Sequence, residues 1–380
     1  MPRSDRLRAT AACCAMAIAL PASPILADEG GEWVSHAPMS IARQEVGAAR
    51  IGQEVFVAGG LLAGAPWRST NTVEAYHIDE DQWRFVAPMS RDLHHMGVVA
   101  VDGLLYVIGG YRDGTFTPVR DLLIYDPDSN DWTTGRLLPE PRGAAWAVAH
   151  QGKIYLVGGR NHLGINQASI VIYDPITDQW SQGRDMPTVR EHLTATSAGS
   201  YIYVIGGRNG ASTNANERYD PVSNTWRVMA PMPTARSATL TATFGSKIFV
   251  AGGEVPRLFA INEVYDIPTD TWSCQAPMAL PRHGIAAVTL DDRIFAPAGG
   301  VVQGLAPTAL VDSFIPAPIL GDFNGDGLVN LTDLDAFDAC LTGPDAGPID
   351  DPCRPGDFDK DDDVDLTDFA ALTQSWTPPF

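Results

Sequence analysis

Two stretches near the end of the chain carry oxygen-bearing groups at identical steps. GDFNGDGLVNLTD (321–333) and GDFDKDDDVDLTD (356–368) align without a gap. Six or more oxygens around one point suit a hard cation. Without a cation, the crowded carboxylates of the second stretch would repel each other strongly. The predicted ligands are Asp322, Asn324, Asp326, Leu328, Asn330 and Asp333 in the first stretch, and Asp357, Asp359, Asp361, Asp363, Asp365 and Asp368 in the second.

Both stretches resemble the calcium loop of an EF-hand, and an amphipathic helical run follows each. Calcium is therefore the expected cofactor. Position 12 is Asp rather than Glu, and Asp362 replaces the usual Gly. Paired loops with Asp at position 12 resemble a type I dockerin, which implies calcium-dependent docking to a cohesin-like protein. The spacing between the loops and the nearby Cys340 and Cys353 depart from the compact form of that family. The alternative is a solvated acidic tail.

Arginine recurs at one position of a longer repeat that precedes these loops. A guanidinium binds carboxylates in a bidentate manner, so a set of arginines could hold an anionic ligand. They could instead bond backbone carbonyls or neighbouring acids. The repeated position holds Arg43, Leu93, Arg142, Arg190, Arg236 and Arg282. His or Glu beside an arginine could also move protons, although such residues are often ordinary loop residues. The candidates of this kind are Glu191, His192 and His94, with His95, Glu254 and His283.

The repeat itself predicts how these residues are positioned. Six Gly-Gly doublets follow apolar runs, from Gly59-Gly60 to Gly299-Gly300, at spacings of 46 to 50 residues. Five copies also place Trp seven residues after Tyr, as in Tyr173 and Trp180. A period of this length means stacked supersecondary units. Each copy reads as four short strands, and its aromatic residues need a neighbouring unit in order to be buried.

Apolar run, Gly-Gly, Tyr and Trp together resemble the kelch repeat over residues 31 to about 315. The resemblance implies an all-β, six-bladed β-propeller whose innermost strands begin at the arginine position. The sixth copy has Phe314 but no Trp, whereas an unpartnered Trp33 stands near the start. We therefore expect the N-terminal segment to be the outer strand of blade 6, with Trp33 against strands from residues 285–315. Arg43, Arg142, Arg190, Arg236 and Arg282 would then ring one mouth of the channel.

Charge and cysteine content divide the rest of the chain. Residues 1–27 have the order of a secretory signal, basic then apolar then small, and their apolar run of twelve is too short to span a bilayer. The alternative for them is a buried helix. The segment 318–380 holds 15 of the 46 acidic residues but only two basic ones, and the chain offers no basic surface for nucleic acid. In an oxidising compartment, Cys340 and Cys353 are expected to pair.

The sequence thus predicts three parts: a signal peptide (1–27), a kelch propeller (28–316) and a small α-helical module with paired calcium loops (317–380). The predicted function is a secreted binding protein. Its propeller would bind an acidic glycan or peptide, and its tail would dock to a partner. An alternative is a carbohydrate-active enzyme, because kelch-type sialic acid mutarotases are similar to this architecture. The sequence does not decide whether the chain is an enzyme.

Overall fold

Six antiparallel sheets of four strands each are arranged along the chain. The computed structural model describes residues 30–317, 321–323, 328–341, 351–358 and 363–374, so the predicted signal peptide lies outside the described residues. Each sheet with its loops is called a blade, numbered in chain order. The strands are Gly47–Ile51, Glu54–Ala58, Val73–His77 and Gln82–Phe85 in blade 1; Gly97–Val101, Leu104–Ile108, Leu122–Asp126 and Asp131–Thr134 in blade 2; Trp146–His150, Lys153–Val157, Ile170–Asp174 and Gln179–Gln182 in blade 3; Thr194–Ala198, Tyr201–Ile205, Asn216–Asp220 and Thr225–Val228 in blade 4; Leu240–Phe244, Lys247–Ala251, Asn262–Asp266 and Thr271–Gln275 in blade 5; and Val288–Thr289, Ile294–Pro297, Val311–Ile315 and Glu32–Ser35 in blade 6.

The outer strand of blade 6 comes from the N-terminal side of the chain. Glu32–Ser35 runs antiparallel to Val311–Ile315, with Trp33 opposite Phe314. The two rings lie 5.1 Å apart, and the Trp33 indole donates a hydrogen bond to the carbonyl of Ala276 in blade 5. Trp33 therefore takes the place that Trp holds in the other five sheets.

Tyrosine and tryptophan join each blade to the one before it. In blade 3, Tyr173 and Trp180 pack with their ring centroids 5.0 Å apart. The Trp180 indole donates to the carbonyl of Arg136 in blade 2. The Tyr173 hydroxyl donates to Asp178, and the same carboxylate oxygen accepts the backbone N–H of Arg136. Blades 1, 2, 4 and 5 repeat this arrangement, with Asp or Asn as the acceptor. The constant seven-residue spacing reflects this shared geometry.

Apolar cores lie between neighbouring sheets. Phe56 of blade 1 packs in one cluster with Leu105 of blade 2, and Val57 of blade 1 shares another with Val288 of blade 6. The other four neighbouring pairs have equivalent clusters. The six blades therefore form a continuous ring, in which each sheet buries its two faces against its neighbours.

The sixth Gly-Gly doublet does not occupy the structural place of the other five. In blade 1, Gly59 and Gly60 both have positive φ. The equivalent hydrogen bonds in blade 6 are made by Ala298 and Gly299, whose φ values are 64° and 107°. Assignment of Gly299-Gly300 as the doublet is therefore wrong by one residue, because Ala298 adopts the left-handed conformation that Gly provides elsewhere.

Short strands and a small helical segment complete the described structure. The short strands, which lie in loops beside the propeller axis, are Leu61–Leu62, Arg68–Ser69, Leu93–His94, Tyr111–Arg112, Thr117–Pro118, Arg208–Asn209 and Ala211–Ser212. The tail contains the α-helices Leu331–Cys340 and Leu366–Gln374 and the 3₁₀ helix Asp351–Gly356. Cys340 and Cys353 form a disulfide, which is the pair expected from the sequence. No helix within the described ranges is both long and apolar enough to cross a membrane.

Candidate functional site

Each blade contributes one residue to a ring of backbone hydrogen bonds at the axis. These residues lie two positions after the repeated arginine position, and each has a φ of 48–56°. Each N–H donates to the carbonyl of the equivalent residue in the preceding blade, over 2.8–3.0 Å, and Glu45 closes the circle onto Gly284. The members of this axial ring are Glu45, His95, Ala144, His192, Ala238 and Gly284. Residues far apart in sequence are thereby brought together.

The repeated arginines do not form an anion-binding ring, so that prediction is wrong. All five are at most 4% exposed, and their side chains turn back into their own blades. The Arg43 guanidinium bonds the carbonyls of Gly59 and Thr72 and pairs with Glu74 at 2.9 Å. The corresponding ion pairs are Arg190–Glu217, Arg236–Glu263 and Arg282–Asp312. In blade 3, Val171 takes the place of the acid, and Arg142 lies 3.7 Å from Glu140 of the preceding loop. Burial lowers the pKa of Arg43 to about 10 despite Glu74. These arginines cross-link the strands of their own blades.

Two adjacent histidines reach the axis from blade 2. His94 is fully buried, with Nε2 2.8 Å from the carbonyl oxygen of Thr115 and Nδ1 2.5 Å from Nδ1 of His95. His95 Nε2 lies 3.3 Å from Glu45 Oε2, and the His95 ring packs edge-on against His192 at 4.9 Å. Both nitrogens of His94 are engaged with the protein, so His94 is not free to transfer a proton to a ligand.

A network of acids and one arginine surrounds the other side of the axis. Arg208 lies 2.8 Å from Glu254 and 3.2 Å from Glu191. His283 Nε2 lies 3.6 Å from Glu254 and 3.7 Å from Glu45. The axial ring, His94 and this network are together called the axial cluster. Its polar members are Glu45, His94, His95, Glu191, His192, Arg208, Glu254 and His283. The candidate residues from four blades are thus in one group.

Burial and neighbouring charges shift the titration of the axial cluster. Burial lowers the pKa of His94 to about 4 and that of His95 well below its usual value. Burial opposes the charge of Glu191, but the contact with His192 and the guanidinium of Arg208 outweigh it and lower the pKa of Glu191 to about 2. At neutral pH, the two histidines of blade 2 are therefore neutral and Glu191 is ionised.

A channel lies beside the axial ring and is lined by the first strand of every blade. Its volume is about 430 Å³. Most of the lining is small or hydroxylated, as with Ala149, Ser197 and Thr243, and Trp146 lines both this channel and the space next to the ring. Arg50 is the charged residue among the lining side chains. The chemistry-bearing side chains are therefore concentrated at the ring.

The described ends of the two predicted calcium loops share one hydrogen-bond pattern. Asp333 accepts the backbone N–H groups of Phe323 and Asn330, and Asp368 accepts those of Phe358 and Asp365. Oxygens of Asp363, Asp365 and Asp368 lie within 4.8 Å of one another. The nearly buried carboxylates of the two loops are Asp322, Asp333, Asp357, Asp363 and Asp368. The predicted ligands Asn324, Asp326, Asp359 and Asp361 lie outside the described residues.

Comparison with known proteins identifies the repeated unit. The KLHDC2/KLHL20/DRC7 Kelch-repeats domain matches residues 45–253, which is more than half of the chain, and the Kelch motif matches residues 235–279. The chain belongs to the kelch-repeat family. Both matches lie within the propeller.

Individual kelch relatives are similar over shorter segments. The Kelch-like protein terF of Aspergillus terreus is 39% identical over 124 residues, which cover 31% of this chain and 27% of that protein. Mouse Kelch-like protein 35 is 28% identical over 138 residues, covering 36% and 22%. The matched segments thus span about a quarter of the relatives' length. The structure of YjhT superposes with a TM-score of 0.63 at 16% identity, over 73% of this chain and 96% of that one. This last likeness shows the fold.

Two residues of the axial cluster, Glu45 and Arg208, were not predicted from the sequence. Glu45 lies two positions after Arg43, as His192 lies two after Arg190, so alignment of the repeats on the arginine would have found it. Arg208 follows the doublet Gly206-Gly207 directly, as Glu254 follows the next one. Contact between these positions depends on closure of the ring, which no single repeat encodes.

Proposed function

We propose that this kelch protein is an exported binding protein whose propeller recognises an acidic protein segment through the loops that follow the glycine doublets. The observation that carries the proposal is an exposed pair of rings at 5.6 Å, Trp67 of blade 1 and Phe116 of blade 2. They are 38% and 54% exposed. Tryptophan and arginine dominate the energetics of protein interfaces, and both are present here.

Arginines in these loops replace the buried ones as candidates for binding carboxylates. Arg68 and Arg112 flank the two rings in sequence and are exposed, and Arg160 and Arg257 are exposed in the loops of blades 3 and 5. Such guanidiniums can meet carboxylates in a bidentate manner. The acidic ligand expected from the sequence thus keeps a physical basis, but on different arginines.

Binding of acidic and neutral peptides to the immobilised full chain tests this proposal. Arg112→Ala should weaken an acidic peptide about 10- to 100-fold, since a charged hydrogen bond contributes roughly 1.5 to 3 kcal/mol. Trp67→Ala should weaken it by a similar factor, about 2 kcal/mol or more, if the ring is a central anchor of the interface. Ile176→Ala is the matched control, because Ile176 is 91% exposed in a turn at the opposite end of the strands. Equal binding by all three variants would reject the site. If uronic or sialic acid glycans bind and the peptides do not, the ligand is a carbohydrate rather than a protein.

We further propose that the tail binds calcium and docks to a partner such as a cohesin-like protein. The support is electrostatic. Oxygens of Asp363, Asp365 and Asp368 lie within 4.8 Å of one another, and carboxylates this close repel each other unless a cation lies between them. The segment 318–380 has only Arg354 and Lys360 as basic residues. Oxygens bound to one calcium ion at about 2.4 Å lie no more than about 4.8 Å apart, so Asp363, Asp365 and Asp368 fit one ion.

Calcium binding to the loops is tested by calorimetric titration of the full chain after a chelator has removed bound metal. Asp368→Ala should abolish binding at the second loop, whereas Asp338→Ala, which removes an exposed carboxylate of the first helix, should leave it unchanged. Absence of calcium binding in the parent chain would refute the cofactor assignment. Export is tested separately, because N-terminal sequencing of the secreted protein should begin after Ala27.

An enzymatic role is the second candidate, and the axial cluster is the observation that favours it. Glu191 and His192 lie within 3.5 Å of each other beside Arg208, so an acid and a base meet a guanidinium. Such a group could transfer protons during opening of a sugar ring. Exchange of sialic acid anomers can be followed by NMR. Acceleration that Glu191→Gln abolishes would favour the enzyme, and none would favour the binding protein.

A further inference from the structure

We propose that Glu45, His95 and His192 form a binding site for a divalent transition-metal ion on the propeller axis. The three residues occupy equivalent axial-ring positions in blades 1, 2 and 4, and one donor atom from each lies within 4.8 Å of the other two. Two imidazoles and one carboxylate are a common ligand set for zinc and for other first-row metals. The site is separate from the acidic loops of the tail and does not rest on the proposed peptide ligand.

The hydrogen bonds of His94 and His95 indicate which nitrogen faces the site. A carbonyl oxygen can only accept, so His94 donates from Nε2 to Thr115. The Nδ1 atoms of His94 and His95 are 2.5 Å apart and share one hydrogen bond. Nε2 of His95 is then the ring nitrogen that faces the axis, 3.3 Å from the Glu45 carboxylate. A cation between these two buried atoms would be bound by both.

The spacing of these two atoms suits a metal. Ligand atoms about 2.1 Å from a tetrahedral ion lie about 3.4 Å apart, which is close to the separation of His95 Nε2 and Glu45 Oε2. The hydrogen bonds that link His95 to His94 and His94 to Thr115 resemble the outer-shell contacts that orient a metal-binding imidazole. The third donor, His192, has a buried Nδ1 without a hydrogen bond, and its nearest acidic oxygen is 3.5 Å away on Glu191.

Charge and space favour the same assignment. Arg208 pairs with Glu191 and Glu254, and Glu45 faces only imidazoles, so three carboxylates share one guanidinium in the axial cluster. A divalent ion would offset this buried charge. The other three axial-ring positions are Ala144, Ala238 and Gly284, which leave room for a water or a ligand as the fourth donor. The Arg208 side chain is 20% exposed, so the axial cluster reaches the surface there.

Titration of the full chain with Zn²⁺ in excess Ca²⁺, which occupies the tail loops, tests the site. We expect one zinc equivalent to bind. Glu45→Gln and His192→Ala should each weaken it about 100-fold or more, and His94→Phe should weaken it about 10- to 100-fold through the second shell. His162→Ala is the matched control, because that histidine is half exposed and outside the axial cluster.

Two further measurements keep the proposal refutable if a variant fails to fold. Circular dichroism identifies misfolded variants, and Co²⁺ added to the unaltered chain reports nitrogen ligation through its visible absorption. Intense Co²⁺ absorption bands that disappear when Zn²⁺ replaces the cobalt would support the site. Absence of zinc binding by the unaltered chain, or binding that all the folded variants retain equally, would overturn it.

Discussion

Replacement of the buried ion pair in blade 4 separates a structural role of the repeated arginines from a ligand-binding one. Arg190 and Glu217 are each about 1% exposed or less, with Nη1 2.7 Å from the carboxylate. Blade 2 has Leu93 and Leu123 at the equivalent positions, both buried in one apolar cluster. The chain itself therefore shows that an apolar pair can replace the charged one.

The expected magnitudes follow from burial. Arg190→Leu or Glu217→Leu alone leaves one charge buried without its partner and should cost about 3 to 5 kcal/mol of unfolding free energy. The double variant has no unpaired charge. It loses the donors to the carbonyls of Thr188 and Val204 and the acceptor of the Thr188 hydroxyl, a cost of about 1 to 3 kcal/mol that the buried apolar surface partly offsets. It should therefore be more stable than either single variant.

Equilibrium urea unfolding at pH 7, followed by tryptophan fluorescence, measures this double-mutant cycle. Losses that simply add in the double variant would show that Arg190 and Glu217 are not coupled and would refute the reasoning. Single variants with unchanged stability but weakened binding of an acidic peptide would restore a ligand-binding role for Arg190.

Two further predictions concern the contacts between blades. The backbone N–H of Arg136 and the Tyr173 hydroxyl lower the pKa of Asp178. Its stabilising contribution is therefore present above the ordinary value of 3.8 and is lost as the pH falls through the lowered folded-state value. Asp178→Asn keeps an acceptor but not the charge, so it should be slightly less stable than the parent at pH 7 and lose less stability in acid, as measured by thermal unfolding across pH. Trp33→Ala should lower the free energy of unfolding by about 2 to 4 kcal/mol, less than for a fully buried Trp because Trp33 is half-buried. Trp67→Ala, at an exposed loop position, should change the thermal midpoint little. Equal effects of the two substitutions would argue against a structural role for the N-terminal strand.

The repeat could be predicted from sequence because its residues have the same task in every blade. Tyr173 and Trp180 fix one interface through a ring contact and an indole hydrogen bond, so the spacing cannot vary without breaking both. The error at Gly299-Gly300 has the same origin. The conformation of the backbone, rather than the identity of the residue, is repeated there, and Ala298 satisfies it.

The role of the arginines could not be deduced from their position alone. Strand register places the start of the inner strand at the axis, but only side-chain direction decides whether Arg190 faces the channel or its own sheet. An internal clue was present, because four of the five blades with the arginine carry an acid two residues before the repeated aromatic residue. Glu217 is one example, and Leu123 stands at that place where Leu93 replaces Arg. Blade 3 departs from this pattern, since Val171 stands there and Arg142 lies beside Glu140 instead.

In the axial ring, the main chain joins the blades and the side chains are free to serve another role. Its hydrogen bonds use only main-chain atoms, so the side chains at these six positions are not needed to hold the blades together, and Ala144, Ala238 and Gly284 show that small residues are sufficient. Glu45, His95 and His192 therefore need another explanation, since burying a carboxylate and two imidazoles costs free energy that an alanine would avoid. Such a cost is retained where the polar groups bind something, and the three donors lie where the six blades meet.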